Sequence, residues 1–97
     1  PSPLRISFNS TYVNQEMTGN HDGSHLFSLP EFGTSVGDVR VEIAQFMPSG
    51  DSDPEDFTWW VSDIDPVANT ARIRFRNISN FGRTLRGTFY LTVIMRD

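Results

Sequence analysis

The sequence predicts an all-β fold, an antiparallel β-sandwich or jelly roll of six to eight strands. Apolar residues alternate with polar ones in several short runs, which is the period of strands with one buried face. Six Pro and seven Gly are spread along the chain and supply the turns that many short strands need. No segment of useful length shows the apolar period of a helix. With 97 residues, we expect one domain over residues 1–97.

The first predicted strand lies at the start of the chain, where Leu4, Ile6 and Phe8 alternate with Arg5 and Ser7. Because alternate residues of a strand share a face, we expect the three apolar side chains to be buried together.

The next segment is predicted to be irregular. Residues 9–23 are polar and rich in turn-forming residues, with the tip of a turn expected at 21–24. A second strand is predicted around 26–29 and stops at Pro30. A connection is expected over 32–37.

A third strand is predicted where Val39, Val41 and Ile43 alternate with charged residues. A long acidic loop is expected to follow over 47–56. A turn opens at 65–66 after the fourth strand.

The fourth, fifth and last strands have the clearest patterns. Trp60 is expected outside, because its neighbours in the fourth strand alternate toward the core. The last strand carries apolar or aromatic groups on both faces, which suggests that a partner covers one of them. The predicted core therefore contains Phe57, Trp59, Val61, Ile73, Phe75, Phe89, Leu91 and Val93.

Composition limits the partners. The net charge is −4, and all eight basic residues are Arg, so non-specific binding to nucleic-acid phosphates is not expected. No apolar run approaches the length of a membrane span, and no signal-peptide pattern opens the chain, so no membrane partner is expected either. The chain has no Cys, which excludes disulfides and Cys-based metal sites.

Three arginines form the first candidate binding surface. Arg72, Arg74 and Arg76 alternate with apolar residues, so their side chains share one sheet face at a spacing of about 7 Å. They could contact acidic groups of a protein partner. Alternatively, they form a solvated outer face paired with acidic residues of neighbouring strands.

Two aromatic residues complete the candidate binding set. Trp60 could stack on a sugar ring or anchor a protein interface, and burial of its ring under a loop is an equally open alternative. Tyr90 lies on the second apolar face of the last strand and is a further candidate anchor.

Metal and cofactor sites are not expected. Asp51, Asp53 and Glu55 alternate in the acidic loop and could offer oxygen ligands to Ca²⁺, but a solvated loop explains them as well. His21 and His25 flank a turn, and two ligands are too few for a structural zinc site.

No catalytic motif stands out. The sequence lacks a Gly-x-Ser-x-Gly nucleophile elbow and a Gly-rich phosphate loop, so we predict that the protein is not an enzyme. Residues 9–11 and 77–79 fit the short acceptor pattern for N-glycosylation, which matters only in a eukaryotic secretory context.

From Ser24 onward, six stretches follow one another in a characteristic order: Leu26 to Pro30, Val36 to Val39, Trp60 to Ser62, Asn69 to Arg74, Asn77 to Ser79 and Gly87 to Ile94. This order of features resembles a small β-module of tailed-bacteriophage virion proteins. The resemblance covers about three quarters of the chain, and the acidic loop at 48–56 and the polar segment at 9–23 depart from it.

The resemblance implies a virion component, commonly a homotrimer. One class is a capsid decoration (cement) or head-fibre protein that binds the major capsid protein or another virion protein. The alternative class is a receptor-binding or carbohydrate-binding knob of a tail fibre or spike, which would contact a glycan on the host surface.

Overall fold

The computed structural model describes residues 4–30 and 38–96, which form two antiparallel three-stranded sheets. One sheet has the strand order β1-β6-β3 and the other has the order β2-β5-β4. Packing of these sheets on one another confirms the predicted all-β, sandwich-like fold class. The elements are β1 (Leu4–Met17), β2 (Asp22–Ser28), β3 (Asp38–Pro48), a 3₁₀ turn (Pro54–Asp56), β4 (Phe57–Asp65), β5 (Thr70–Asn77) and β6 (Arg83–Arg96).

The core lies between the two sheets, and the central strands β5 and β6 supply most of it. Both strands alternate strictly, with every second side chain buried against the opposite sheet. Six members of the predicted core are buried, and Trp59 and Val61 pack against them while partly exposed. The Trp59 ring meets Phe89 edge to face at 5.4 Å between centroids, and Phe46 meets Phe89 at 4.5 Å.

The prediction for the first strand was wrong about its buried face. Leu4, Ile6 and Phe8 are 53%, 56% and 82% exposed. They belong to a continuous strand in which Val13 enters the core with 1% exposure. Because side chains alternate at a period of two, Val13 and Phe8 must point to opposite faces of the sheet.

The polar segment that follows is also more regular than predicted. β1 continues to Met17 and pairs with β6 along its whole length, so the backbone of these polar residues is satisfied by the neighbouring strand. The turn is only four residues long, with Asn20 at a positive φ of 61° and the His21 N–H bonded to the Thr18 carbonyl. Residues 22–24, expected in the turn, already belong to β2.

The acidic loop is shorter than predicted and is anchored to β6. β3 extends to Pro48, and a 3₁₀ turn occupies 54–56. The Asp53 N–H donates to the Thr84 carbonyl at 2.8 Å, and the Asp53 carboxylate accepts the Thr84 N–H at 3.1 Å. The connection expected over 32–37 lies outside the described residues. Within residues 4–30 and 38–96, no helix is long and apolar enough to span a membrane.

Candidate functional site

The candidate binding residues lie on two opposite outer surfaces of the sandwich. The outer side of the β2-β5-β4 sheet presents Arg72, Arg74, Arg76 and Trp60, and we call it the arginine face. Tyr90 lies on the outer side of the β1-β6-β3 sheet, because its neighbours Phe89 and Leu91 point into the core. The five residues therefore belong to two surfaces.

The arginine face is built around the central strand β5. Trp60 on β4 lies opposite Arg74, and Leu26 on β2 lies opposite Arg72. Both apolar side chains are open to solvent, with 42% exposure for Trp60 and 51% for Leu26. The Trp60 ring is thus accessible to a ligand or partner.

Acidic residues neutralise much of the charge of this face. Arg74 Nη2 lies 2.6 Å from Asp63 Oδ2, and Arg76 Nη1 lies 2.7 Å from Asp22 Oδ1. Arg72 donates to Ser24 Oγ at 3.2 Å, with its Nε 3.9 Å from Asp63. This is the pairing that the alternative interpretation of the arginine row expected.

Asp63 is a member of this face that the sequence reading missed. It has a positive φ of 52°, in the irregular pairing between Ser62 and Asp65. Its hydrogen bond from Arg74 holds the pKa of its carboxyl below the ordinary value. A residue that leaves the alternation of its strand cannot be placed on a face by periodicity, so no sequence signal pointed to it.

The outer side of the β1-β6-β3 sheet carries a stripe of exposed apolar side chains, which we call the apolar face. The β1 members of the stripe are opposite β6 residues that also point outward: Ile6 is opposite Ile94, and Ser10 is opposite Tyr90. The remaining strand of the sheet, β3, adds polar neighbours and the apolar side chain of Met47. The exposed apolar members are Leu4, Ile6, Phe8, Tyr12, Met47 and Tyr90.

The apolar face is large for a surface left in water. At about 200 Å² for a large side chain, the exposed fractions of its six members come to about 650 Å². Monomeric soluble proteins rarely expose a contiguous apolar patch of more than about 300–600 Å². The sequence analysis found the alternation at residues 4–8 but predicted that these apolar side chains are buried. Val13 lies an odd number of residues from them in the same strand and points to the other face, and this was the available signal.

The acidic loop brings together a different set of carboxylates from the predicted one. Oxygens of Asp53, Glu55 and Asp56 lie within 4.8 Å of one another, whereas Asp51 does not belong to this group. Arg83 Nε donates to Asp56 Oδ2 at 2.7 Å, and the Asp53 carboxylate bonds the Thr84 amide. Two of the three carboxylates therefore anchor the loop.

The two histidines contact different parts of the chain. His21 Nδ1 lies 2.9 Å from the Gly19 carbonyl within the turn. His25 Nε2 lies 2.7 Å from Thr11 Oγ1 and so links the two sheets. Burial lowers the pKa of His25 below its ordinary value, because removal from water disfavours the charged imidazole.

Asn77, the first residue of the second glycosylation pattern, is part of the interior. Its side chain is fully buried, and its amide donates to the carbonyls of Met17 at 3.0 Å and Phe81 at 2.7 Å. Its Oδ1 accepts the N–H and the hydroxyl of Ser79. These bonds join the end of β1 to the loop before β6, so Asn77 has a structural role.

Comparison with known proteins adds no assignment, since no family model, no curated protein and no solved structure matches this chain.

Proposed function

We propose that this protein is a non-enzymatic structural protein of a bacteriophage virion, a capsid decoration or head-fibre protein that binds the particle surface. One observation carries the binding role: exposed apolar side chains occupy two opposite faces of one small sandwich. A protein that ties neighbouring subunits together needs two separate contact surfaces. The resemblance of residues from Ser24 onward to virion modules supports the phage context.

We assign contact with the particle to the arginine face. Trp60 and Leu26 flank the arginine row and supply apolar area, while Arg72 and Arg74 supply directed hydrogen-bond donors. Exposed ion pairs contribute only about 0–1 kcal/mol each, and these arginines already have acidic partners. Affinity would therefore come mainly from the apolar area that Trp60 and Leu26 bury on contact.

The test uses virions of the phage whose genome encodes this chain. Purified particles are washed in low and in about 1 M salt, at which exposed charges are screened beyond about 3 Å. The protein is then quantified by mass spectrometry. We expect it to stay on the particle in both washes and to be lost after Trp60→Ala, with the exposed turn residue Val67 changed to Ala as control.

Absence of the protein from purified virions would contradict the proposal. Release by moderate salt, with Trp60→Ala particles unchanged, would contradict the apolar anchor and assign attachment to the arginines.

A second candidate is a receptor-binding or carbohydrate-binding knob. It is favoured by the exposed Trp60 ring, which lies beside Arg74 and its partner Asp63. An aromatic face next to planar hydrogen-bonding groups suits a sugar ring, which has an apolar side and a hydroxyl edge. Titration with host-surface oligosaccharides, followed by the fluorescence of Trp59 and Trp60 and with Trp60→Ala as control, separates this function from decoration.

A further inference from the structure

The apolar face has a pattern of apolar and charged residues that its own copy would complement. We propose that it is covered by the same face of a second copy, in a two-fold symmetric pair. This contact is separate from attachment to a particle and holds whether or not the protein lies on a virion.

The apolar area of the face supplies a large part of what a stable contact between two proteins buries. A stable interface buries about 800 Å² on each partner, and the four apolar side chains around the two-fold axis proposed below, Leu4, Ile6, Phe8 and Tyr90, alone offer about 450 Å². The polar residues around them would supply the remainder as the rim.

The sheet register defines which groups share a level on this face. One level contains Ile6, Ile94 and Arg40, and the next contains Phe8, Thr92 and Glu42. In each level, the apolar residue is on the β1 side and the charged residue is on the β3 side.

Complementary contacts result from a two-fold axis that lies in the plane of the contact, perpendicular to the strands and midway between these two levels. It places β1 over β1 and β3 over β3 of the second copy, with strand directions reversed. Ile6 then faces Phe8 of the other copy, while Arg40 faces Glu42. Apolar groups meet apolar groups, and opposite charges meet twice because an isologous contact is repeated.

An axis parallel to the strands does not have this property. It would place the apolar β1 side over the charged β3 side, so that Ile6 and Phe8 would cover Arg40 and Glu42 of the other copy. Burial of these charges against apolar groups is unfavourable. The crossing axis is therefore the arrangement that the charge pattern supports.

The first test measures self-association by sedimentation equilibrium over micromolar concentrations. We expect the unchanged protein to be a dimer and Phe8→Ser to raise its dissociation constant about a hundredfold or more, since two rings leave the interface. Phe8 is 82% exposed, so its replacement should leave the fold intact. Phe81→Ser is the matched control, because Phe81 is 65% exposed in the loop before β6.

The second test uses charge reversal to identify the geometry. Arg40→Glu and Glu42→Arg should each weaken the dimer about tenfold, because each makes like charges face one another. In an equimolar mixture of these two variants, opposite charges face again and mixed dimers should form. Within one chain Arg40 and Glu42 also lie 3.7 Å apart, but neither variant keeps that pair, so recovery in the mixture reports contact between copies.

A monomer for the unchanged protein at these concentrations, or equal behaviour of Phe8→Ser and Phe81→Ser, would overturn the proposal. A trimer would overturn the two-fold pairing, as would a mixture that recovers no dimer. None of these results depends on retention by virions, so failure here is distinguishable from failure of the proposed function.

Discussion

Replacement of Asn77 tests whether the buried network around this residue stabilises the fold. Asn77→Ala removes four hydrogen bonds from a fully buried site, two donated to the carbonyls of Met17 and Phe81 and two accepted from Ser79. At about 0.5–1.5 kcal/mol for each bond, the loss is about 2–6 kcal/mol. We expect a value in the lower half of this range, because the Ser79 hydroxyl still bonds the Phe81 carbonyl.

The assay is urea denaturation followed by Trp fluorescence, with the free energy of unfolding obtained by linear extrapolation. Asn80→Ala is the matched control, since Asn80 is an exposed asparagine in the same loop and accepts one hydrogen bond from Asn20. The control should lose less than about 1 kcal/mol. Equal losses for Asn77→Ala and Asn80→Ala, with unchanged slopes, would show that the buried network around Asn77 does not stabilise the fold.

Three further changes address the core, the close approach of β3 to β6 at Gly87, and the link between the two sheets at His25. Leu91→Ala should lower the free energy of unfolding by about 2–5 kcal/mol in urea denaturation, because this side chain is 1% exposed; a loss below about 1 kcal/mol would contradict its place in the core. Gly87→Ala should lower the midpoint of thermal unfolding, because Gly87 has a φ of 153° and a Cβ would overlap the Met47 carbonyl oxygen of the paired strand β3; an unchanged midpoint would exclude this close approach. Burial lowers the pKa of His25 in the folded protein, so the unfolded chain binds this proton more readily. The free energy of unfolding should therefore fall as the pH drops below about 6.5, the ordinary pKa of histidine, and continue to fall through the lower pKa of the folded state. His25→Gln should reduce this dependence in urea denaturation at several pH values; a pH dependence equal to that of the unchanged protein would contradict the assignment.

The parts of the fold that could be predicted from the sequence are those in which local pattern and burial agree. In β5, Ala71, Ile73 and Phe75 alternate with arginines, and the strand is central in its sheet, so one face is fully buried. Its period alone therefore predicts which side chains enter the core. The same reasoning holds for Phe89 and Leu91 in β6.

The orientation of β1 could not be read from its own alternation. A period-two pattern shows that Ile6 and Phe8 share a face, but it does not show which side of the sheet that face is on. The side is set by the pairing of β1 with β6, a strand more than seventy residues later, and by entry of Val13 into the core. Strands with alternating apolar residues usually bury the apolar face. The start of β1 departs from this because its apolar face points outward, and this is the face that we propose a second copy covers.

The candidate site was predictable only in its separate parts. Trp60, Tyr90 and the arginine row were found from their position in the strands, and Trp60 is exposed as expected. That Tyr90 lies on the opposite surface follows from the assignment of β4 and β6 to different sheets. The contact between Asp63 and Arg74 depends on a local irregularity, which no periodic pattern contains.

A density map of purified virions from the phage proposed to encode this chain would show directly whether the protein lies on the particle and which of its faces makes the contact. We expect sandwich-shaped density on the outside of the particle, with the face that contains Trp60 and Arg74 toward the underlying protein. We also expect a second copy to cover the stripe around Phe8. Absence of this density from the particle, or a bound copy whose Phe8 stripe is open to solvent, would contradict these expectations.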